Sequence, residues 1–216
     1  MNFTDPQVSQ LIELAIAEDI GDGDHSSLGA IASNEKGKAR LLVKDAGVLC
    51  GIHLAKHIFH RLDSTLVFEP YLEEGSRVKV GDIAFSVRGS IHSILQAERL
   101  VLNFMQRMSG ISTLTKRLVD IIEGTGAQLL DTRKTTPGMR VFEKYAVSIG
   151  GGVNHRMGLF DMVMLKDNHN DYAGGITAAV NQTKAYLTNE GKSLKIEVET
   201  RNLEEVKEAI AVGVNR

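Results

Sequence analysis

The sequence predicts an α/β protein in two parts, and three observations carry the prediction. Short apolar stretches broken by glycines occupy residues 38–88, and a long run of helix-spaced apolar residues follows at 90–124. Beyond Gly124, three short apolar strands alternate with helix-length segments, the pattern of parallel β/α units.

Taking the elements in order, Asp5-Pro6 supplies a cap and a first-turn proline. Val8, Leu11, Ile12, Leu14, Ala15 and Ile16 then recur at helical spacing and predict a first helix ending before Gly21. The acidic turn Gly21-Asp22-Gly23-Asp24 lacks the continuing ligand spacing and final glutamate of a calcium loop, so it reads as a plain turn.

Residues 38–49, 65–72 and 77–88 read as strands and 51–62 as a helix, which together make a small sheet with a helix. His53, His57 and His60 lie near one face of that helix. With Lys56 and Arg61 beside them and no carboxylate to complete a metal site, they read as a packed or solvated face. Glu73 to Asp82 is similar to a turn of biotinyl or lipoyl carriers, but the attachment lysine is absent.

The run from Ile94 to Ile121 predicts long helical segments, broken near Ser109-Gly110, that bridge the two parts. Residues 127–131, 161–166 and 194–199 are the strands of the second part. A fourth strand is expected to begin at 211–216, where the sequence ends.

The 216 residues carry a net charge of −2 and no block of like charge, which argues against nonspecific nucleic-acid binding and makes any anion site local. Cys50, the one cysteine, sits among Val48, Leu49 and Ile52 and reads as a buried structural thiol. No segment reads as a signal peptide or membrane span, so the expectation is a cytoplasmic protein with no membrane partner.

In parallel β/α architectures, ligand-binding groups gather at the carboxyl ends of strands. Three clusters fall there. Asp131-Thr132-Arg133-Lys134-Thr135-Thr136 offers a guanidinium fork, an ammonium and hydroxyls, which suit a carboxylate or phosphate as well as they suit a solvated loop. Gly150-Gly151-Gly152-Val153-Asn154-His155-Arg156 combines a glycine run, expected to let backbone approach a ligand, with two donors, yet matches neither a P-loop nor a Rossmann fingerprint. Lys166-Asp167-Asn168-His169 adds a further cation, and Lys195, Glu197 and Glu199 alternate on one face of the last strand, where carboxylates can hold Mg²⁺ or ribose hydroxyls. Arg133, Lys134, His155, Arg156 and Lys166 thus form a local cationic set in a mildly acidic chain, suited to a small polyanion or to a structural ion-pair network.

These clusters, together with Glu143-Lys144-Tyr145-Ala146-Val147, resemble the signature blocks of the quinolinate phosphoribosyltransferases. Glu18-Asp19-Ile20-Gly21 and Gln96-Ala97-Glu98-Arg99 extend the resemblance over essentially the whole chain. The resemblance implies an N-terminal α/β sandwich with its interdomain helix at 1–118, and at 119–216 the first part of an α/β barrel that is incomplete in this chain. It implies transfer of phosphoribosyl from phosphoribosyl pyrophosphate to quinolinate, with Mg²⁺ and decarboxylation, giving nicotinate mononucleotide in NAD biosynthesis.

By the same resemblance, Lys134, Lys166 and Glu199 take catalytic roles, Glu199 also serving the metal. Arg133, His155, Arg156 and Glu197 bind substrate, and Arg99 reaches the site of the neighbouring subunit in a homodimer, with a hexamer left open. Family members continue past this end, so a truncated chain is expected. The alternatives are a related transferase acting on another cyclic acid, or a non-catalytic ligand-binding protein if the natural chain ends at Arg216.

Overall fold

Helix α1 (Pro6–Ile20) begins where Asp5 accepts the Gln7 N–H at 2.8 Å, with Pro6 in the first turn, and stops at Gly21 (φ +55°). Its buried Val8 and Ile12 join the core, as the apolar spacing predicts. The acidic turn after it is a capping turn: Asp24 accepts the Ser27 N–H and starts the short α2 (His25–Ala30). The computed structural model describes all residues, 1–216.

Strands β1 (Lys36–Leu42), β3 (Val67–Pro70) and β5 (Ile83–Ser90) form an antiparallel sheet in the order β1-β5-β3, with a register shift at Leu41/Leu42. The pair β2 (Gly47–Val48) and β4 (Arg77–Val78) makes a second, two-stranded sheet. Ala84, Phe85, Ser86 and Val87 of the central strand are all buried, so the sheet is covered on both faces there. Phe68 and Phe85 meet with ring centroids 4.5 Å apart, and the buried Ser86 hydroxyl is satisfied by the Tyr71 hydroxyl at 2.9 Å. A fully buried large side chain such as Phe85 contributes roughly 1.5–3 kcal/mol of transfer free energy.

Helix α3 (Ile52–Leu62) buries Leu54, Ala55, Ile58 and Phe59. Its first turn lacks a local cap, since Gly51 has no side chain. Glu74, distant in sequence, accepts the Gly51 N–H at 2.5 Å and the His53 N–H at 3.3 Å instead. The histidine face is packed at two positions and exposed at His53: the His57 ring stacks on Phe3 at 4.6 Å, and His60 Nε2 meets the Leu66 carbonyl at 3.1 Å. Cys50 is fully buried, and burial pushes its thiol up from the ordinary range.

Helix α4 (Ile91–Ile121) is continuous for 31 residues, and the break expected at Ser109-Gly110 does not occur. Ser109 uses its hydroxyl outside the helix, accepting the Cys50 N–H at 3.0 Å and facing the Cys50 carbonyl at 3.2 Å. Buried Met105, Met108, Ser112 and Thr115 on either side hold the helix against the core, which outweighs a glycine penalty of about 1 kcal/mol.

Strand formation at 127–131 is smaller than expected: only Leu130 bridges, in parallel, to Val153. Residues 119–155 pack with the N-terminal part, and the compact units of this structure are Met1–His155 and Arg156–Arg216. The reason is α5 (Arg140–Ile149), which lies on α4 with Phe142 and Phe104 ring centroids 4.9 Å apart.

The second unit pairs β6 (Val163–Leu165) and β7 (Ile196–Val198) in parallel, with α6 (Asp167–Ala173), α7 (Ile176–Asn189) and α8 (Leu203–Val212). Leu165, Val180, Leu187, Ile196 and Ala209 form its own core. After Gly213 (φ +77°) the chain turns back beside β7. The Arg216 N–H donates to the Ile196 carbonyl at 3.3 Å, and its carbonyl accepts the Val198 N–H at 3.1 Å, the hydrogen bonds of a parallel register. No helix of the structure is long and apolar enough to cross a membrane.

Candidate active site

The sequence-predicted site residues divide between the two units. Arg99, Arg133, Lys134 and His155 belong to the first, and Arg156, Lys166, Glu197 and Glu199 to the second.

In the first unit the parallel bridge at Leu130 delivers Asp131 to the base of the site, and residues 132–138 leave as an open loop anchored by side chains. Thr132 Oγ1 accepts the Lys134 N–H at 3.0 Å, and Arg140 donates to Thr135 Oγ1 at 3.1 Å and to the Arg133 carbonyl at 3.4 Å. Arg107 and Glu143 fix the far end. Glu143 Oε2 accepts the Thr136 N–H at 3.1 Å while Oε1 accepts Arg107 Nη2 at 2.6 Å. Burial alone would raise the Glu143 carboxyl, but hydrogen bonds from Arg107 and Thr136 outweigh it and hold the group below the ordinary carboxylate range.

Sequence reasoning missed Arg107, Glu143, Asp131 and Lys144 as parts of this scaffold. Lys144 is 1% exposed, with its ammonium bonded to Asp131 Oδ1 and, at 3.0 Å, to the His155 carbonyl. Apolar spacing carried no signal for it, because Lys144 stands two positions after Phe142 and so off that residue's face of α5.

The glycine run meets a packing demand. A Cβ on Gly150 would lie 2.5 Å from the Ser112 carbonyl oxygen, and one on Gly152 would lie 2.7 Å from Val147 Cγ1. These glycines admit close packing of the α5 terminus against α4.

Within this unit the cations sort into two kinds. Lys144 and Arg107 are paired with carboxylates. Arg133 has no ion pair, and its Nε is buried without a hydrogen-bond partner. Lys134 is exposed at the loop, and Arg99 is exposed on α4.

In the second unit the Arg156 guanidinium is 8% exposed. It donates to the Met162 carbonyl at 3.3 Å and lies 3.5 Å from Met164 Sδ, neither of which neutralises its charge. Lys166 stands at the exit of β6. Its N–H is accepted by His169 Nδ1 at 2.9 Å, which makes His169 a helix-capping residue, and its ammonium meets Glu199 Oε1 at 3.2 Å. Glu197 Oε2 lies 3.7 Å from Arg216. Glu197 lies on β7 and Glu199 just past its end, two carboxylates at alternate positions of the chain.

Each unit thus carries a guanidinium without a counter-charge, Arg133 in the first and Arg156 in the second, and such groups suit an anionic ligand. Comparison with known proteins gives the class: residues 24–109 and 111–216 match the N-terminal and C-terminal domain models of quinolinate phosphoribosyl transferase. The chain is 48% identical over 201 residues to quinolinate phosphoribosyltransferase [decarboxylating] 1b of Nicotiana tabacum, covering 93% of this chain and 57% of that protein. It is 45% identical over 199 residues to a probable nicotinate-nucleotide pyrophosphorylase [carboxylating] of Synechocystis, covering 92% and 66%. Among solved structures, NadC from Streptococcus pyogenes superimposes with a TM-score of 0.92 at 36% identity, covering 99% of this chain and 75% of that one. The nicotinate-nucleotide pyrophosphorylase from Francisella tularensis gives 0.88 at 38% identity, covering 96% and 72%.

The chain therefore belongs to the quinolinate phosphoribosyltransferase family. It spans a little over half the length of the Nicotiana relative.

Proposed function

We propose that the protein carrying this chain transfers the phosphoribosyl group of phosphoribosyl pyrophosphate to quinolinate and decarboxylates the adduct, yielding nicotinate mononucleotide, pyrophosphate and carbon dioxide for NAD biosynthesis. The observation that carries this reading is the pair of guanidiniums without counter-charge. Arg156 is buried against neutral acceptors, and Arg133 keeps a buried, unpartnered Nε–H. A buried cation in that state gains strongly from an anionic ligand, and quinolinate presents two carboxylates.

In this reading Arg133 and Arg156 take the carboxylates, joined by Arg99 of a partner subunit in a homodimer, whose exposure on α4 suits that reach. Assembly of dimers into a hexamer is compatible with the same role. Lys134, His155 and Lys166 surround the carboxylates and the phosphoribosyl group. Glu199, just past the end of β7 and held by Lys166, orients ribose hydroxyls, with Glu197 two residues before it on β7. Mg²⁺ entering with phosphoribosyl pyrophosphate and held by Glu199 would offset charge on the departing pyrophosphate.

The pyridine nitrogen forms a bond to the anomeric carbon as the bond to pyrophosphate breaks, and the fixed cations stabilise the leaving charge. The bond from C2 to its carboxylate then breaks, releasing carbon dioxide. The electron pair left at C2 is stabilised by the adjacent pyridinium nitrogen until a proton replaces it, so no covalent enzyme intermediate is needed. The buried, thiol-retaining Cys50 suits a reducing compartment such as the cytoplasm.

Calorimetric titration of quinolinate and nicotinate into this protein tests the reading. Quinolinate binding at least roughly tenfold tighter is expected, because nicotinate leaves one guanidinium unpaired. Equal affinity for the two acids would overturn it.

A further inference from the structure

We propose that Asp131 and Lys144 are positioning residues for the reaction, holding His155 in place through its backbone; the inference rests on His155 contacting substrate, as above. Both backbone polar groups of His155 are bonded to this side-chain pair. The His155 N–H donates to Asp131 Oδ1 at 2.8 Å, and the His155 carbonyl accepts from Lys144 Nζ at 3.0 Å. Lys144 also donates to Asp131 Oδ1, which closes the ring of contacts.

Asn154 completes it. With its amide nitrogen turned toward the acceptors, it donates to Asp131 Oδ2 and to the Lys144 carbonyl, each at 2.8 Å. The Lys144 and Asp131 side chains are 1% and 7% exposed, so neither reaches a substrate and their influence must pass through what they hold.

A lysine this deeply buried is uncommon and persists only when paired and hydrogen-bonded. Here the pair joins three separate segments: the strand exit before Arg133, helix α5 and the stretch carrying His155. Two of its hydrogen bonds hold the backbone from which the His155 ring projects, and Asp131 lies two residues before Arg133. Purely structural stabilisation needs only the Asp131–Lys144 contact. The use of both His155 backbone groups is the feature that points to positioning.

The test replaces both charges at once, Asp131→Asn with Lys144→Met, so that no unpaired charge is left buried. Amide hydrogen exchange read by NMR should be at least roughly tenfold faster at His155 while core amides such as that of Ile58 are unchanged. Quinolinate affinity should fall at least roughly tenfold, but less than about twofold when the same changes are made in a His155→Ala background. If the double variant does not fold, Asp131→Asn alone is read by the same two measurements, with the same directions expected.

Unchanged exchange at His155, or equal affinity losses in both backgrounds, would overturn the positioning role. If the unaltered protein binds no quinolinate, the functional reading fails instead, and the exchange arm alone decides whether the pair holds His155.

Discussion

Arg107 grips Glu143 through both Nε at 3.1 Å and Nη2 at 2.6 Å, while Glu143 in turn accepts the Thr136 N–H at the end of the cationic loop. Arg107→Ala should therefore lower stability by about 1–2 kcal/mol, because it leaves a buried carboxylate short of donors. Chemical denaturation measures it, and an unchanged midpoint would show the pair to be passive.

The same carboxyl gives a pH dependence with a definite sign. The folded value of Glu143 is held below its ordinary value of 4.5, so its stabilisation is fully present above pH 4.5 and is lost as pH falls through the depressed value. The stability difference between the unaltered protein and Glu143→Gln should be constant from pH 7 down to about 5 and shrink below about 4. Denaturation at a series of pH values checks this, and a difference that grows on acidification would be the wrong sign.

Two glycines should respond oppositely to alanine. At Gly150 the added Cβ meets the Ser112 carbonyl oxygen at 2.5 Å, and Gly150→Ala should destabilise by about 1–3 kcal/mol. At Gly110, in the interior of α4 with nothing within 4 Å, Gly110→Ala should stabilise by about 0.5–1 kcal/mol. Thermal melts of the two variants decide both.

These positions also mark how far the sequence alone could be read. Periodicity and capping residues located α1, α3 and the core face of α4, because those signals act within a few residues. The supposed break at Ser109-Gly110 was misread because the Ser109 hydroxyl serves Cys50, 59 positions earlier, and only tertiary contact makes that visible. The packing demand on the glycine run is likewise invisible in the sequence, since the carbonyl that Gly150 must clear belongs to Ser112. The cationic residues proposed for the site stand out in the sequence by type and spacing. Their division into paired and unpaired members does not, since it depends on which carboxylates the fold brings to Lys144 and Arg107.

Arg133 and Lys166 should separate function from stability. Arg133 has no ion pair to lose, so Arg133→Ala should weaken quinolinate binding by about 2–5 kcal/mol while leaving the melting temperature nearly unchanged. The Lys166–Glu199 pair is about half exposed and contributes no more than about 1 kcal/mol to stability. Glu199→Gln should accordingly fold normally and lose roughly 100-fold in turnover, the size associated with one transition-state contact. Steady-state kinetics beside a melt would expose either assignment as wrong if activity were retained.

The most direct test of the central claim is to incubate the protein with quinolinate labelled in its 2-carboxyl group, phosphoribosyl pyrophosphate and Mg²⁺, and to measure carbon dioxide and pyrophosphate together. Equimolar release of both, dependent on every component, is the predicted result. Pyrophosphate without labelled carbon dioxide, or neither product from quinolinate, would contradict it.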